Sequence, residues 1–317
     1  MATAISGGGR IRNNTAADNA YNSLMIANQT IAEKQLRLST GKRINSAADD
    51  VAGYITSRAL GARTSSLKNA LNAVGEARNV TSMALDSLDN VGNLLNKIKD
   101  ATAMASTGAL GSDEKVALAK TAYRLTQQIQ SIVDTTVFGG RQLLGGTYSG
   151  DWTIGYKSDD SAEQISLNLR EDAKTEYNIT DSGVKFNLNA TSDVKSQNTF
   201  AGVSGLSMNS LNSITTSNLG IFAETAIGAT LTSLADAINN IAKVSAYIGG
   251  IDNRLSSQEE LLTSQITNYK AATSRIEDAD AANEQMELMK FQFLQQASLI
   301  SSTQANQAPQ AMMQLFR

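Results

Sequence analysis

The chain has 317 residues, a formal net charge of −3, a single Pro, and neither Cys nor His. It therefore cannot form disulfides, thiolate zinc sites, iron–sulfur clusters or His-dependent triads, and any catalysis would rest on carboxylates, Lys, Tyr or Ser. The near absence of Pro favours long helices. The mild acidity gives no sign of a nucleic-acid partner, and no stretch has the ~18 apolar residues of a membrane span.

The opening "MATAISGGGRIRNN" lacks the apolar core of a secretory signal peptide. The expectation is a chain that stays in the cytoplasm or is exported by a route that reads no classical signal. Helical spacing begins at Ala17 and runs through Tyr21, Leu24, Asn28, Ile31, Gln35 and Leu38. "LSTGKRINSAADDVAG" follows at residues 38–53. A phosphate loop would need Gly five residues before its Gly-Lys and Ser or Thr after the Lys. Here Leu36 and Arg43 occupy those places. A connector fits better. Gly41 breaks the first helix, Ser46 and Asp49 have capping-box spacing, and Asp49 and Asp50 offset the dipole of the next helix. Two adjacent carboxylates are the only metal-like feature.

Next, Ala70, Ala73, Ala77, Val80, Ala84, Ser87, Val91, Leu94, Ile98, Ala101 and Ala105 keep one helical register, with a second apolar seam through Leu67, Leu71, Val74, Leu85, Leu88 and Leu95. A Gly/Ser break at 106–112 leads into a shorter helix marked by Leu118, Ala122, Leu125, Ile129 and Ile132, with Ser112 as its expected cap. Trp152, Ile154 and Tyr156, then Ile165, Leu167 and Leu169, alternate at period two and predict paired strands. "TEYNITDSGVKFNLN" predicts a second hairpin turning at Asp181-Ser182-Gly183, and the Ser/Asn/Thr-rich 191–228 reads as an irregular excursion.

The strongest periodicity comes later. Ile227, Leu231, Leu234, Ile238, Ile241, Ser245, Ile248, Asp252, Leu255, Glu259, Leu262, Ile266, Tyr269, Thr273 and Ile276 hold one heptad register across Gly249-Gly250, which predicts coiled-coil packing. The last segment is apolar on one side through Met286, Met289, Phe293, Ala297 and Ile300, with Leu288, Phe291 and Leu299 on another. A helix apolar nearly all round calls for several neighbours.

Charge also separates the two ends. Residues 1–45 carry Arg10, Arg12, Lys34, Arg37, Lys42 and Arg43 against Asp18 and Glu33; residues 276–317 carry Glu277, Asp278, Asp280, Glu284 and Glu287 against Lys290 and Arg317. Either the ends meet, or these are solvated faces. No acid pair with a nearby nucleophile appears, so the sequence gives no positive evidence for an enzyme and implies no cofactor or metal.

"LSTGKRINSAADDVAGYITSRAL" at 38–60 and "SRIEDADAANEQMELMKFQFLQQASLISSTQANQAPQAMMQLFR" at 274–317 resemble the N- and C-terminal signatures of bacterial flagellin. "FGGRQLLGG" at 138–146 resembles the family's turn into its β region. The likeness spans roughly 15–172 and 229–317. It implies a mostly α fold: a long antiparallel coiled-coil or helical rod with paired N- and C-terminal helices, a small β-hairpin region and a short irregular outer segment. Residues 1–45 and 277–317 would form the inner-tube terminal domain, 46–172 and 229–276 the rod, and 173–228 a short variable outer part.

The function implied is that of a structural subunit polymerising into the flagellar filament for motility, outside the cell and without a cleaved signal peptide. Such chains are exported unfolded through the type III apparatus. Implied partners are further copies of the chain, the cap and hook-associated proteins, and an export chaperone on the C-terminal helix, with no nucleic acid and no membrane. Leu24, Ile31 and Leu38, against Met286, Met289, Phe293 and Ile300, would form the inter-subunit and inner-tube packing, and Gly41, Arg43, Asn45, Ser46, Asp49 and Asp50 would set the elbow. The rod segment facing the animal toll-like flagellin receptor would include Lys97, Lys99 and Asp100. Lys97 and Ala101 stand where receptor-active members usually have Arg and Leu, and Lys lacks the Arg fork, so receptor activation is not expected. The rival readings are a hook–filament junction protein, an enzyme built on an outer insertion and a coiled-coil adhesin.

Overall fold

The computed structural model describes residues 14–157, 161–170, 199–200, 203–204 and 213–315. It bears out the mostly α expectation. Among the described residues there are five α-helices: α1 Thr15–Thr40, α2 Val51–Ala105, α3 Ser112–Thr135, α4 Ile227–Glu277 and α5 Ala281–Leu315. Between α3 and α4 lie the antiparallel pairs β1 Val137–Phe138 with β2 Arg141–Gln142, β3 Thr147–Tyr156 with β4 Ala162–Arg170, and β5 Thr199–Phe200 with β6 Val203–Ser204. The chain divides into two compact units, with the boundary inside α2 and α4. One holds the residues up to Ser65 and from Thr267 onward; the other holds Ser66–Ile266.

In the second unit, apolar periodicity dictates the packing. The heptad positions Ile227, Leu234, Ile241, Ile248, Leu255 and Leu262 of α4 are all buried. So are Leu67, Ala70, Val74, Ala77, Val80, Ala84, Leu88, Val91 and Ile98 of α2. The 51-residue α4 runs through Gly249-Gly250 without a break and is ~75 Å long at 1.5 Å per residue. In α3 the buried line is Ala119, Ala122, Thr126, Ile129 and Val133. The expected cap moves by one residue: Gly111 is the N-cap of α3, and Ser112 is its first helical residue. Asp113 and Glu114 do sit in the first turn, as their charge predicts.

Gly139 and Gly140, with φ of 57° and 79°, form the two-residue turn between β1 and β2, a conformation that side chains with Cβ disfavour. Beyond it Leu143 and Leu144 are buried. The Arg141 guanidinium lies over the Tyr148 ring, 4.9 Å from its centroid. The predicted hairpin forms, with Trp152 opposite Ile165 and an irregularity between Thr153 and Gly155. Gln258 of α4 donates from Nε2 to the Ile154 carbonyl at 2.7 Å, tying hairpin to helix. The expected second hairpin at 175–189 lies outside the described residues. Residues 213–226, read as part of an irregular excursion, contain a 3-10 turn at Gly220–Phe222 and bury Ile214 and Phe222.

Candidate functional site: the paired terminal helices and their elbow

In the first unit α1 packs along α5. Asn14 caps α1 by accepting from the Ala17 amide at 3.2 Å, and its Nδ2 donates to the Ala305 carbonyl at 2.8 Å. Farther along, Gln295 donates to Asn28, Lys34 meets Glu284 and Glu287 at 3.0 and 2.5 Å, and Lys42 pairs with Asp278. Partners descend α5 as α1 ascends, so the pair is antiparallel and in constant register. The opposite charges of the two ends do meet.

The facing surfaces mix small, charged and apolar side chains. Ala20, Ala27 and Lys34 are the buried residues of α1, with Ala17, Leu24, Ile31 and Leu38 half-buried beside them. Glu284 and Leu288 are buried on α5, followed by half-buried Phe291, Gln295, Ser298, Ser302 and Ala305. Within one chain this differs from the seam that periodicity alone would draw. Tyr21, Asn28 and Gln35 are exposed. Met286, Met289, Phe293 and Ile300 do not face α1; they are 59%, 46%, 72% and 68% exposed. The physical reason is close approach: Ala20 and Ala27 admit a neighbouring helix that larger side chains would hold off, and Met286, Met289, Phe293 and Ile300 take the outside.

Burial pushes the Lys34 ammonium down, but hydrogen bonds to Glu287 and Glu284 outweigh it and hold the pKa above the ordinary lysine value. Glu287 is held below its ordinary value by the Lys34 bond. Arg37 extends the network to Glu284 at 3.4 Å and to Glu33 of its own helix.

The two connectors meet as a short antiparallel bridge. Gly41 ends α1 in the left-handed region at φ 70°. The Arg43 amide donates to the Glu277 carbonyl at 2.7 Å, and the Ala279 amide donates to the Gly41 carbonyl at 2.9 Å. Lys42 Nζ lies 2.6 Å from Glu277 Oε1, and Arg43 Nη2 donates to the Ile276 carbonyl at 2.8 Å. Asn45 Nδ2 donates to the Lys42 carbonyl at 3.1 Å. The Gly41 carbonyl and the Arg43 amide are thus spent on the other connector, while the Lys42 amide and carbonyl are taken by Thr40 Oγ1 and Asn45. Asp280 caps α5, its Oδ1 accepting from the Ala282 and Asn283 amides.

The predicted capping box needs a second correction. Asp49 Oδ2 accepts from the amides of Asn45 and Ser46 and from the Ser46 hydroxyl, closing a turn. The helix starts later. Asp50 is its cap, with Oδ1 accepting from the Gly53 amide at 2.9 Å. Bonds from the Ser46 and Asn45 amides hold the Asp49 carboxyl below its ordinary value. Ile44, missed by the sequence reading, is 2% exposed and plugs the elbow. A Cβ on Gly53 would lie 2.5 Å from Asp50 Oδ2 and 2.6 Å from Ile44 Cδ1. The glycine is what lets cap and plug coexist.

Lys97 and Asp100 are exposed and Lys99 half-buried on the α2 stretch within the second unit, where the neighbouring Ala101 is buried. Among the described residues no group of His, Cys, Asp and Glu could hold a metal, and no helix is long and apolar enough to cross a membrane.

Two family models match the chain: the bacterial flagellin N-terminal helical region over residues 11–149 and the C-terminal helical region over 231–316. The chain is similar to flagellin of Bacillus subtilis, with 30% identity over 97% of this chain and 100% of that protein. It is similar to flagellin of Listeria monocytogenes, with 27% identity over 91% of this chain and 93% of that protein. A solved Vibrio parahaemolyticus structure, described as a flagellar hook-associated protein, shares the fold at a TM-score of 0.53 and 14% identity, covering 73% of this chain and all of that one. With both terminal regions matched and a relative aligned end to end, the chain belongs to the bacterial flagellin family, the structural subunits of the flagellar filament.

Proposed function

We propose that the outward face of the α1/α5 pair is the surface through which this subunit joins the filament. One observation carries the reading: a set of large apolar side chains of α5 points away from α1. Phe293, Ile300 and Met286 are more than half exposed, with Leu294 and Leu299 near them, and Tyr21, Ile26 and Leu36 stand exposed on α1. A patch of that kind marks an interaction surface. The occupant is a second copy, because the family's subunits are structural and self-polymerising. Two different faces docking without closure give a helical polymer.

The elbow has a matching role. The bridge between residues 41–43 and 277–279 fixes how α1 and α5 leave their connectors, so Gly41, Arg43, Asn45, Ser46, Asp49 and Asp50 set geometry rather than chemistry. The terminal helices gain much of their order from neighbours, since isolated helices are marginal. Ordering and assembly are then coupled. That arrangement suits export of the unfolded chain, without a cleaved signal peptide, to an extracellular filament. It also suits a chaperone on α5 before export and cap and hook-associated partners at the growing end. The hook–filament junction reading is not better supported, since the matched models and relatives are flagellins.

Phe293→Asp tests the reading. The side chain is 72% exposed, so free-subunit helicity should change little while growth on filament seeds stops. Seeded growth at the wild-type rate would refute the proposed face.

A further inference from the structure

With no Cys in the chain, the oxidisable sulfur is carried by its nine Met. Two of them, Met286 and Met289, lie about one helical turn apart on the outward face of α5, beside Phe293 and Leu294. They are 59% and 46% exposed, open to a small oxidant in the free subunit. We infer that Met286 and Met289 form a peroxide-sensitive modification site whose oxidation to the sulfoxide stops the subunit from joining a filament. The inference rests on the reading that neighbouring subunits bury this face.

The chemistry is an oxygen transfer. A thioether lone pair attacks one peroxide oxygen, an S–O bond forms and the O–O bond breaks. The departing hydroxide takes the remaining proton, so one sulfoxide and one water result. Sulfur loses two electrons and the peroxide gains them. The product is a polar acceptor on an apolar stripe, a change that disrupts Met-lined interfaces. Burying that oxygen without a donor opposes docking.

The effect is confined to assembly. Glu284 and Leu288, not the two methionines, are the buried residues of this part of α5. The lesion therefore leaves the α1/α5 seam and its Lys34 pairs untouched. Free subunits are the vulnerable form, and a grown filament shields the same sulfurs.

The experiment treats purified full-length subunit with hydrogen peroxide, maps sulfoxides by peptide mass spectrometry, and measures helicity and seeded growth. Wild type oxidised at both positions should keep its helicity and grow about tenfold more slowly or worse. Peroxide should not slow M286L/M289L relative to that variant's own untreated growth, since Leu keeps the apolar volume while Met25, Met83 and Met104 remain exposed in it. Methionine sulfoxide reductase should restore growth to the oxidised wild type. Undiminished growth of doubly oxidised wild type, equal loss in the treated double variant, or no recovery on reduction would each overturn the inference. Phe293→Asp runs alongside: if it also grows, the proposed face is wrong, whereas if it alone fails, only the methionine inference falls.

Discussion

The two units bury different mixtures of residue and differ most in what they leave exposed. Ser66–Ile266 hides Leu88, Leu95, Leu234, Ile248 and Leu255. The α1/α5 pair hides Ala20, Ala27, Lys34, Glu284 and Leu288 and shows Phe293 and Ile300 to solvent. The first arrangement is a core in the ordinary sense, since each large apolar side chain is removed from water within the chain. The second saves its apolar area for something else. A subunit that must stay single before assembly and adhere afterwards gains from that division, because its internal seam and its external face draw on different side chains.

Truncating a core residue should therefore hurt one unit and spare the other. Leu234→Ala removes a fully buried side chain of α4 and should cost about 2–5 kcal/mol of unfolding free energy. Phe293→Ala, on the exposed face, should stay within about 0.5 kcal/mol in the free subunit. Denaturant titration of the two variants checks both; similar losses would mean that the α5 face is already covered within one chain.

The seam of the terminal pair should depend on charge where α4 depends on methylenes. Glu284→Ala leaves Lys34, itself 8% exposed, without one of its two carboxylates. The expected loss is about 2 kcal/mol, below the ~3–5 kcal/mol of a fully buried pair because Glu287 still reaches the ammonium. Amide exchange along α1 would report it, and unchanged protection around Lys34 would show that packing alone holds the seam.

What the sequence revealed follows the same division. The α4 heptad was legible because Ile227 to Leu262 are large, apolar and regularly spaced, and their burial follows from water alone. The α1/α5 seam was legible only in its charge, Lys34 and Arg37 against Glu284 and Glu287. Periodicity sends the bulkiest residues inward, and here Met286, Met289, Phe293 and Ile300 face outward. The assumption that fails is that every bulky side chain of a helix is buried within its own chain. The elbow erred for a more local reason. Ser46–Asp49 has capping-box spacing, but the helix is capped by the next residue, Asp50, where Gly53 leaves room for Ile44, a tertiary fact.

That local choice can be tested directly. Gly53→Ala places a methyl against Ile44 and Asp50, and should cost about 1–2 kcal/mol through overpacking and a weakened cap. Limited proteolysis at residues 41–50 should accelerate while the α4 core of the second unit is unaffected. An unchanged cleavage rate would mean the elbow has room that its geometry does not show.

The subtlest difference concerns pH. Glu287 and Asp49, both in the first unit, have carboxyls held below their ordinary values near 4.5 and 3.8. A carboxyl lowered by folding stabilises the fold above its ordinary value, and that stability is lost as pH falls below it. Lys34 is raised above 10.5, so its contribution is complete below that pH and fades only as alkali carries it through the folded value. In the second unit Tyr148 is raised above 10.0 by burial. Its neutral form is favoured by folding, so it too loses stability only in alkali. Arg78, raised by its bond to Glu259, stays protonated throughout. Acid should therefore loosen the terminal pair first. The single Trp, Trp152, reports on the second unit from β3. On acidification below about pH 4.5 helical circular dichroism should begin to fall while Trp152 emission holds, and Glu287→Gln should flatten the first part of that fall. If Trp152 emission moves first, the acid-sensitive contacts lie in the second unit, and the division of labour drawn between charge and apolar packing is wrong.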